Sequence, residues 1–79
     1  MSAVLLDQVR QIGADIFNVT VDEVTAETSP ATVASWDSLQ HLNLVLALEQ
    51  AFDVEFAPEE IEQMVSVGQI VSLVEEKLP

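Results

Sequence analysis

The feature that most limits how this chain can fold is the run from Ser38 to Phe52, which is apolar on two sides. Helical spacing sorts this run into a first stripe of His41, Leu44, Val45, Leu48 and Phe52, and a second stripe of Leu39, Leu42 and Leu46 that ends at Glu49. In a short chain, one stripe of a helix can face the core. The run therefore predicts a central helix whose second stripe, including Leu42, either packs under a loop or stays open to a partner.

A second helix is predicted at the start of the chain, followed by a long connection. Apolar residues recur at helical spacing from Ala3 to Phe17, and Asn18 can close this helix in a left-handed conformation. The connection from residue 18 to residue 35 contains a capping-box pattern at Thr20 to Glu23 and a Ser29-Pro30 pair, each enough for about one helical turn. The residues expected to hold this loop to the core are Val19, Val24 and Val33.

The last third of the chain predicts two more helices. Pro58 is expected as the first residue of a short helix. Its inward contacts are expected to be Ile61, Met64 and Val65. Ser66 is expected to cap a final helix with Lys77 in its last turn. The sequence thus predicts an all-α fold, a small four-helix bundle with three longer helices, a short third helix and a long first loop, as one domain over residues 1–79.

The charge balance excludes several classes of partner. The 79 residues include 14 acids and two bases, for a net charge of −12, and such a surface repels nucleic acid and anionic lipid. Because 49% of the residues are apolar, the chain is expected to fold rather than remain disordered. The sequence has no cysteine and no calcium-loop pattern, so we expect no metal site. It also has no apolar run of about 18 residues and no basic leader, so we expect no membrane span and a cytoplasmic location. We further expect a monomer with basic partners.

The most informative position is the start of the central helix. Asp37 can cap it, with Gln40 reaching back in a capping box, which leaves Ser38 at the first helical position. The Ser38 hydroxyl is then expected to project into solvent. A hydrolase would need a base, an orienting acid, an oxyanion site and a pocket around this serine. The single candidate base, His41, lies on the first stripe, so a self-contained hydrolase is disfavoured.

The motif Trp36-Asp37-Ser38-Leu39, followed by an apolar helix through Leu48-Glu49 and Phe52, resembles the attachment site of acyl carrier proteins. The length, acidic balance, long first loop and short third helix also resemble that family. The resemblance implies a carrier rather than an enzyme. In such a carrier, a phosphopantetheinyl transferase moves 4′-phosphopantetheine from coenzyme A onto Ser38, and the cofactor thiol then holds acyl groups as thioesters for acyl-activating, acyl-transferring or condensing enzymes.

The resemblance also implies roles for the residues around Ser38. Asp37 would belong to the recognition triplet, and Trp36 would either contribute to recognition or pack as a hydrophobic staple. The partner-facing residues would be Leu39, Leu42 and Leu46, with Glu49 meeting a basic residue of the partner.

The central helix also differs from the carriers of bacterial fatty-acid synthesis, which usually have further acids on this helix. The uncharged residues at the corresponding places are Gln40, Asn43 and Gln50. This difference favours a specialised lipid or polyketide-type pathway. The alternatives left open are an aminoacyl or peptidyl carrier and an acidic helical interaction module whose serine is never modified.

Overall fold

The computed structural model describes residues 3–78, and within them the fold is a bundle of four α-helices. The helices are α1 (Ala3–Phe17), α2 (Ser38–Phe52), α3 (Pro58–Glu62) and α4 (Val67–Lys77), and a 3₁₀ turn (Val21–Glu23) lies in the long loop after α1. The predicted all-α class and the short third helix are therefore confirmed. In the part of the chain that the structure describes, no helix is long and apolar enough to cross a membrane.

Local capping explains where these helices begin and end. At the starts of α2 and α4, a side-chain oxygen of Asp37 or Ser66 accepts a hydrogen bond from the amide three residues later, at 2.9 Å and 3.2 Å. Left-handed residues end the first two helices, with φ angles of 57° at Asn18 and 54° at Asp53. The capping roles predicted for Asp37, Asn18 and Ser66 are confirmed.

Two of the predicted capping boxes do not form as expected, although the turn and the helix that they would open are present. Within residues 3–78, the Thr20 side chain forms no cap hydrogen bond, and the backbone closes the 3₁₀ turn instead, with Glu23 N donating to Thr20 O at 3.0 Å. Gln40 does not reach back to the start of α2, because its Nε2 donates to the Ile16 carbonyl at 3.1 Å. The Gln40 side chain therefore ties α2 to the end of α1.

The core forms where α1 packs against both α2 and α4, and the long loop closes one side of it. As predicted, the loop is held by Val24 and Val33, which are buried, and by Val19, which is partly buried. Val65 was expected to face inward but is 58% exposed. The cause is a tight turn after α3, in which Val65 N donates to Gln63 O at 2.9 Å.

Both basic residues fix segments of the chain that have little regular structure. The Arg10 guanidinium donates to the carbonyls of Val21, at 2.9 Å, and Val24, and so holds the long loop to α1. Lys77 Nζ lies 2.9 Å from Glu60 Oε1, which ties α4 to α3. The backbone amide of Ala57, followed by Lys77, holds the pKa of Glu60 below its usual value, which keeps this carboxylate charged to a lower pH.

The charge balance predicts that stability rises with salt. Because Arg10 and Lys77 are the two bases against 14 acids, repulsion among the acids opposes folding. Raising the salt from about 0.01 M to about 1 M shortens the screening length from about 30 Å to about 3 Å, so we expect a higher thermal midpoint. Circular dichroism melts in sodium chloride measure it. A midpoint that is equal or lower at high salt would contradict the prediction.

Candidate functional site

Ser38 occupies the exposed first position of α2, as predicted. Among the described residues, none forms a hydrogen bond with its hydroxyl, whereas Asp37 beside it is committed to the cap. The first amides of a helix lack partners within the helix and carry a partial positive charge. The Ser38 oxygen is thus accessible, at a helix end that favours a phosphate group.

An open groove of about 680 Å³ lies beside Ser38, between α2 and the segment around α3. Its floor contains the buried side chains of Trp36 and Met64, which are 3% and 2% exposed. Leu42 and Val65 form its rim, since they are 54% and 58% exposed. The other lining residues are Pro30, Asp37, His41, Ile61 and Glu62. The serine therefore adjoins a largely apolar surface, which sequence reasoning missed.

A chain of contacts runs under the groove from α1 to α3. The Trp36 ring stacks on Phe17 with centroids 4.9 Å apart, and its Nε1 donates to His41 Nδ1 at 2.9 Å. The indole N–H can only donate, so His41 Nδ1 accepts, and in the neutral ring Nε2 carries the hydrogen. That nitrogen lies 3.0 Å from the Ile61 carbonyl oxygen. Both ring nitrogens are therefore occupied, which leaves His41 unsuited to act as a base for Ser38.

The position of Trp36 decides between its two predicted roles. The residue lies two positions before Ser38 and contacts His41, the fourth residue of α2, as a staple does. Because only 3% of its surface is exposed, Trp36 packs as the staple and has little surface with which to meet a partner protein directly. Trp36 instead connects the end of α1 to the start of α2 and forms part of the groove floor.

The second stripe of α2 is exposed. Leu39, Leu42 and Leu46 are 68%, 54% and 56% exposed. Leu42 is therefore not a core residue. Glu49, at the end of this stripe, is half-buried, and its Oε2 accepts a hydrogen bond from Phe56 N at 2.9 Å. Glu49 therefore has a structural task that its place in the stripe did not indicate.

The polar residues on the flank of α2 divide into structural and exposed ones. Asn43 Nδ2 donates to Gln40 Oε1 at 2.9 Å, and Gln40 in turn bonds the end of α1. Asn43 and Gln50 are both exposed, so the exposed surface of α2 is poor in charge. In the region from residue 3 to residue 78, no group of three or more acidic or histidine side chains is placed to hold a metal ion.

The sequence matches the family described as the phosphopantetheine attachment site over residues 7–74, which includes Ser38 and the groove. The chain belongs to this family. It is also similar to the solution NMR structure of the holo acyl carrier protein from Geobacter metallireducens, with 35% sequence identity and a TM-score of 0.82. That similarity covers 91% of this chain and 83% of the other.

Membership of this family confirms the resemblance noted in the sequence. The protein is a carrier and not an enzyme, and its cofactor is a covalently attached 4′-phosphopantetheine. An acyl carrier role follows from the same two comparisons. The residues around Ser38 fit the group, because the hydroxyl is accessible, the helix end favours a phosphate and an apolar groove begins beside it.

Proposed function

We propose that Ser38 Oγ is the attachment point of 4′-phosphopantetheine, and that the protein carries acyl groups as thioesters and presents them to partner enzymes. The observation that carries this proposal is the exposed Ser38 hydroxyl at the first turn of α2, inside the matched region and at the edge of the groove. When bound, the cofactor supplies the thiol, which this cysteine-free chain lacks. Activation of the hydroxyl falls to the transferase, since both nitrogens of His41 are occupied.

The groove favours an apolar cargo over an aminoacyl or peptidyl one. Its two polar floor side chains satisfy each other, because the Trp36 N–H donates to His41 and His41 bonds the Ile61 carbonyl. The remaining surface comes largely from Leu42, Met64 and their apolar neighbours. A hydrocarbon chain loses water on such a surface without leaving a polar group unpaired. The two carboxylates that line the groove, Asp37 and Glu62, are exposed to water, so pairing with them would add little to the binding of an ammonium group.

The exposed leucines of α2 are the proposed docking surface. This surface consists of Leu39, Leu42 and Leu46, with Glu49 at its end. A contiguous apolar patch on so acidic a protein fits a partner with an apolar docking surface and a basic rim. The transferase and the acyl-activating, acyl-transferring or condensing enzymes are the proposed partners. The exposed, uncharged Asn43 and Gln50 support a specialised lipid or polyketide-type pathway.

Intact mass spectrometry tests the attachment. After incubation with coenzyme A, magnesium and a promiscuous phosphopantetheinyl transferase, we expect one added phosphopantetheine per chain and a new free thiol. Peptide mapping is expected to place the group on Ser38. A folded wild-type protein that gains no mass, or that carries the group at another residue, would overturn the proposal and leave the acidic interaction module as the better reading.

A further inference from the structure

We propose that His41 is a positioning residue that sets the width of the groove beside Ser38 by tying α3 to α2. The proposal rests on the proposed function, since a cargo enters the groove only if Ser38 bears the cofactor arm. His41 lies three residues after Ser38 in α2, and its Nε2 is 3.0 Å from the carbonyl oxygen of Ile61, a residue of α3. This hydrogen bond crosses the groove floor.

The bond falls on a helix that depends on others for its position. With five residues from Pro58 to Glu62, α3 is far too short to be stable alone. Met64 packs into the common core just after it, and the Glu60–Lys77 ion pair ties it to α4. The His41 hydrogen bond ties it to α2, the helix that bears Ser38.

The acceptor of this bond is the carbonyl that also ends α3. Ile61 O accepts a second hydrogen bond from Met64 N, at 3.2 Å, in the turn that leads out of the helix. On the other side, the His41 ring is fixed by Trp36, which donates to Nδ1 at 2.9 Å and stacks with the imidazole at 6.0 Å between centroids. His41 therefore links its aromatic contact with Trp36 to α3, the helix that is not stable alone.

This arrangement controls how deeply a cargo can enter. While the bond is intact, Trp36, His41 and Ile61 close the floor, and a hydrocarbon chain lies along the groove under Leu42 and Val65. When the bond is lost, α3 can move away from α2 and open a path to the apolar interior. The wild-type protein is thus set to hold a long acyl chain shallowly, where partner enzymes can reach it.

Two substitutions separate the two bonds of His41. In His41→Asn, the amide oxygen replaces Nδ1 as acceptor for Trp36, but the shorter side chain does not reach Ile61 O. In His41→Gln, the longer side chain places an N–H donor near the position of Nε2, so the bond to α3 is restored. Both replacements are polar amides at the same position of α2, which makes His41→Gln the matched control.

Amide hydrogen exchange on the unmodified protein tests the tie itself. We expect the amides of Gln63 and Met64 to exchange about three- to tenfold faster in His41→Asn than in wild type, and at near wild-type rates in His41→Gln. The amide of Ile70, in the core of α4, serves as the internal reference for global stability. Equal exchange of the Gln63 and Met64 amides in His41→Asn and wild type, or equal acceleration in both variants, would overturn the proposal.

Thioester protection tests the consequence for cargo. Holo proteins are loaded with butanoyl or octanoyl groups, and cleavage by hydroxylamine is followed by mass. In wild type we expect similar rates for both chains, and in His41→Asn an octanoyl rate that is lower by about threefold or more, because a deeper site buries the additional methylenes. His41→Gln is expected to match wild type.

The failure of the proposed function and the failure of the proposed role of His41 give different results. If wild type takes up no phosphopantetheine, the proposed function of Ser38 fails, while hydrogen exchange still decides whether His41 holds α3. If loading succeeds but His41→Asn protects octanoyl no better than wild type, the control of cargo depth by His41 is wrong and the carrier role stands.

Discussion

Replacing Ser38 by alanine is expected to abolish the addition of phosphopantetheine completely. The variant removes the hydroxyl oxygen that forms the bond to phosphate and changes nothing else in the site. The Ser38 side chain is exposed, and within residues 3–78 it has no hydrogen-bond partner, so we expect the free energy of unfolding to stay within about 0.5 kcal/mol of wild type. Intact mass after incubation with transferase and coenzyme A measures the first effect, and urea titration the second.

A serine outside the site provides the control for this variant. Ser72 is also exposed, but it lies on α4 and does not line the groove. Ser72→Ala is expected to gain one phosphopantetheine group as wild type does. A mass gain in folded Ser38→Ala would show that another hydroxyl carries the cofactor, and it would also remove the reason for placing a cargo in the adjacent groove.

The features predicted correctly from the sequence depend on residues close together in the chain. Asp37 and Ser66 each cap a helix through an amide three residues away, and Asn18 ends α1 through its own backbone conformation. Apolar periodicity likewise places Leu48 and Leu46 on different stripes of α2, although the choice between a covered and an open second stripe needed the structure. The caps and the division into stripes need no knowledge of how the helices are arranged.

The features that sequence reasoning missed depend on contacts between distant segments. The local pattern predicts Gln40 as part of a capping box, but its side chain donates to Ile16 O, an acceptor 24 residues away. The partner of His41 in α3 is 20 residues away. Two acceptors in the long loop, the carbonyls of Val21 and Val24, could not be assigned to Arg10 before the loop was placed.

The candidate site shows the same division. Ser38 follows from its motif and its local cap, whereas the groove exists only once α3 is set against α2. Trp36 illustrates the limit: its place before the cap fits a staple or an exposed recognition residue, and its stacking on Phe17, 19 residues earlier, decides for the staple. A one-dimensional pattern carries no information about that partner.

The two faces of α2 predict opposite results for two leucines on the same helix. Leu48 is completely buried, so Leu48→Ala is expected to lower the free energy of unfolding by about 2 to 5 kcal/mol, through lost burial and the cavity left behind. Leu46 is 56% exposed, so Leu46→Ala is expected to change it by about 0.5 kcal/mol or less. Urea denaturation of both variants measures the difference.

The rate at which the transferase loads the protein should depend on the exposed face of α2. If Leu46 belongs to the docking surface, Leu46→Ala should lower kcat/KM for phosphopantetheine transfer by about fivefold or more, the effect of losing about 1 kcal/mol at an interface. Gln69→Ala, an exposed substitution on α4, is the control for a surface change away from the site. Normal loading of Leu46→Ala would contradict a role in transferase docking. A large loss of stability in Leu46→Ala would instead mean that this leucine supports the core, because only a buried side chain leaves a costly cavity.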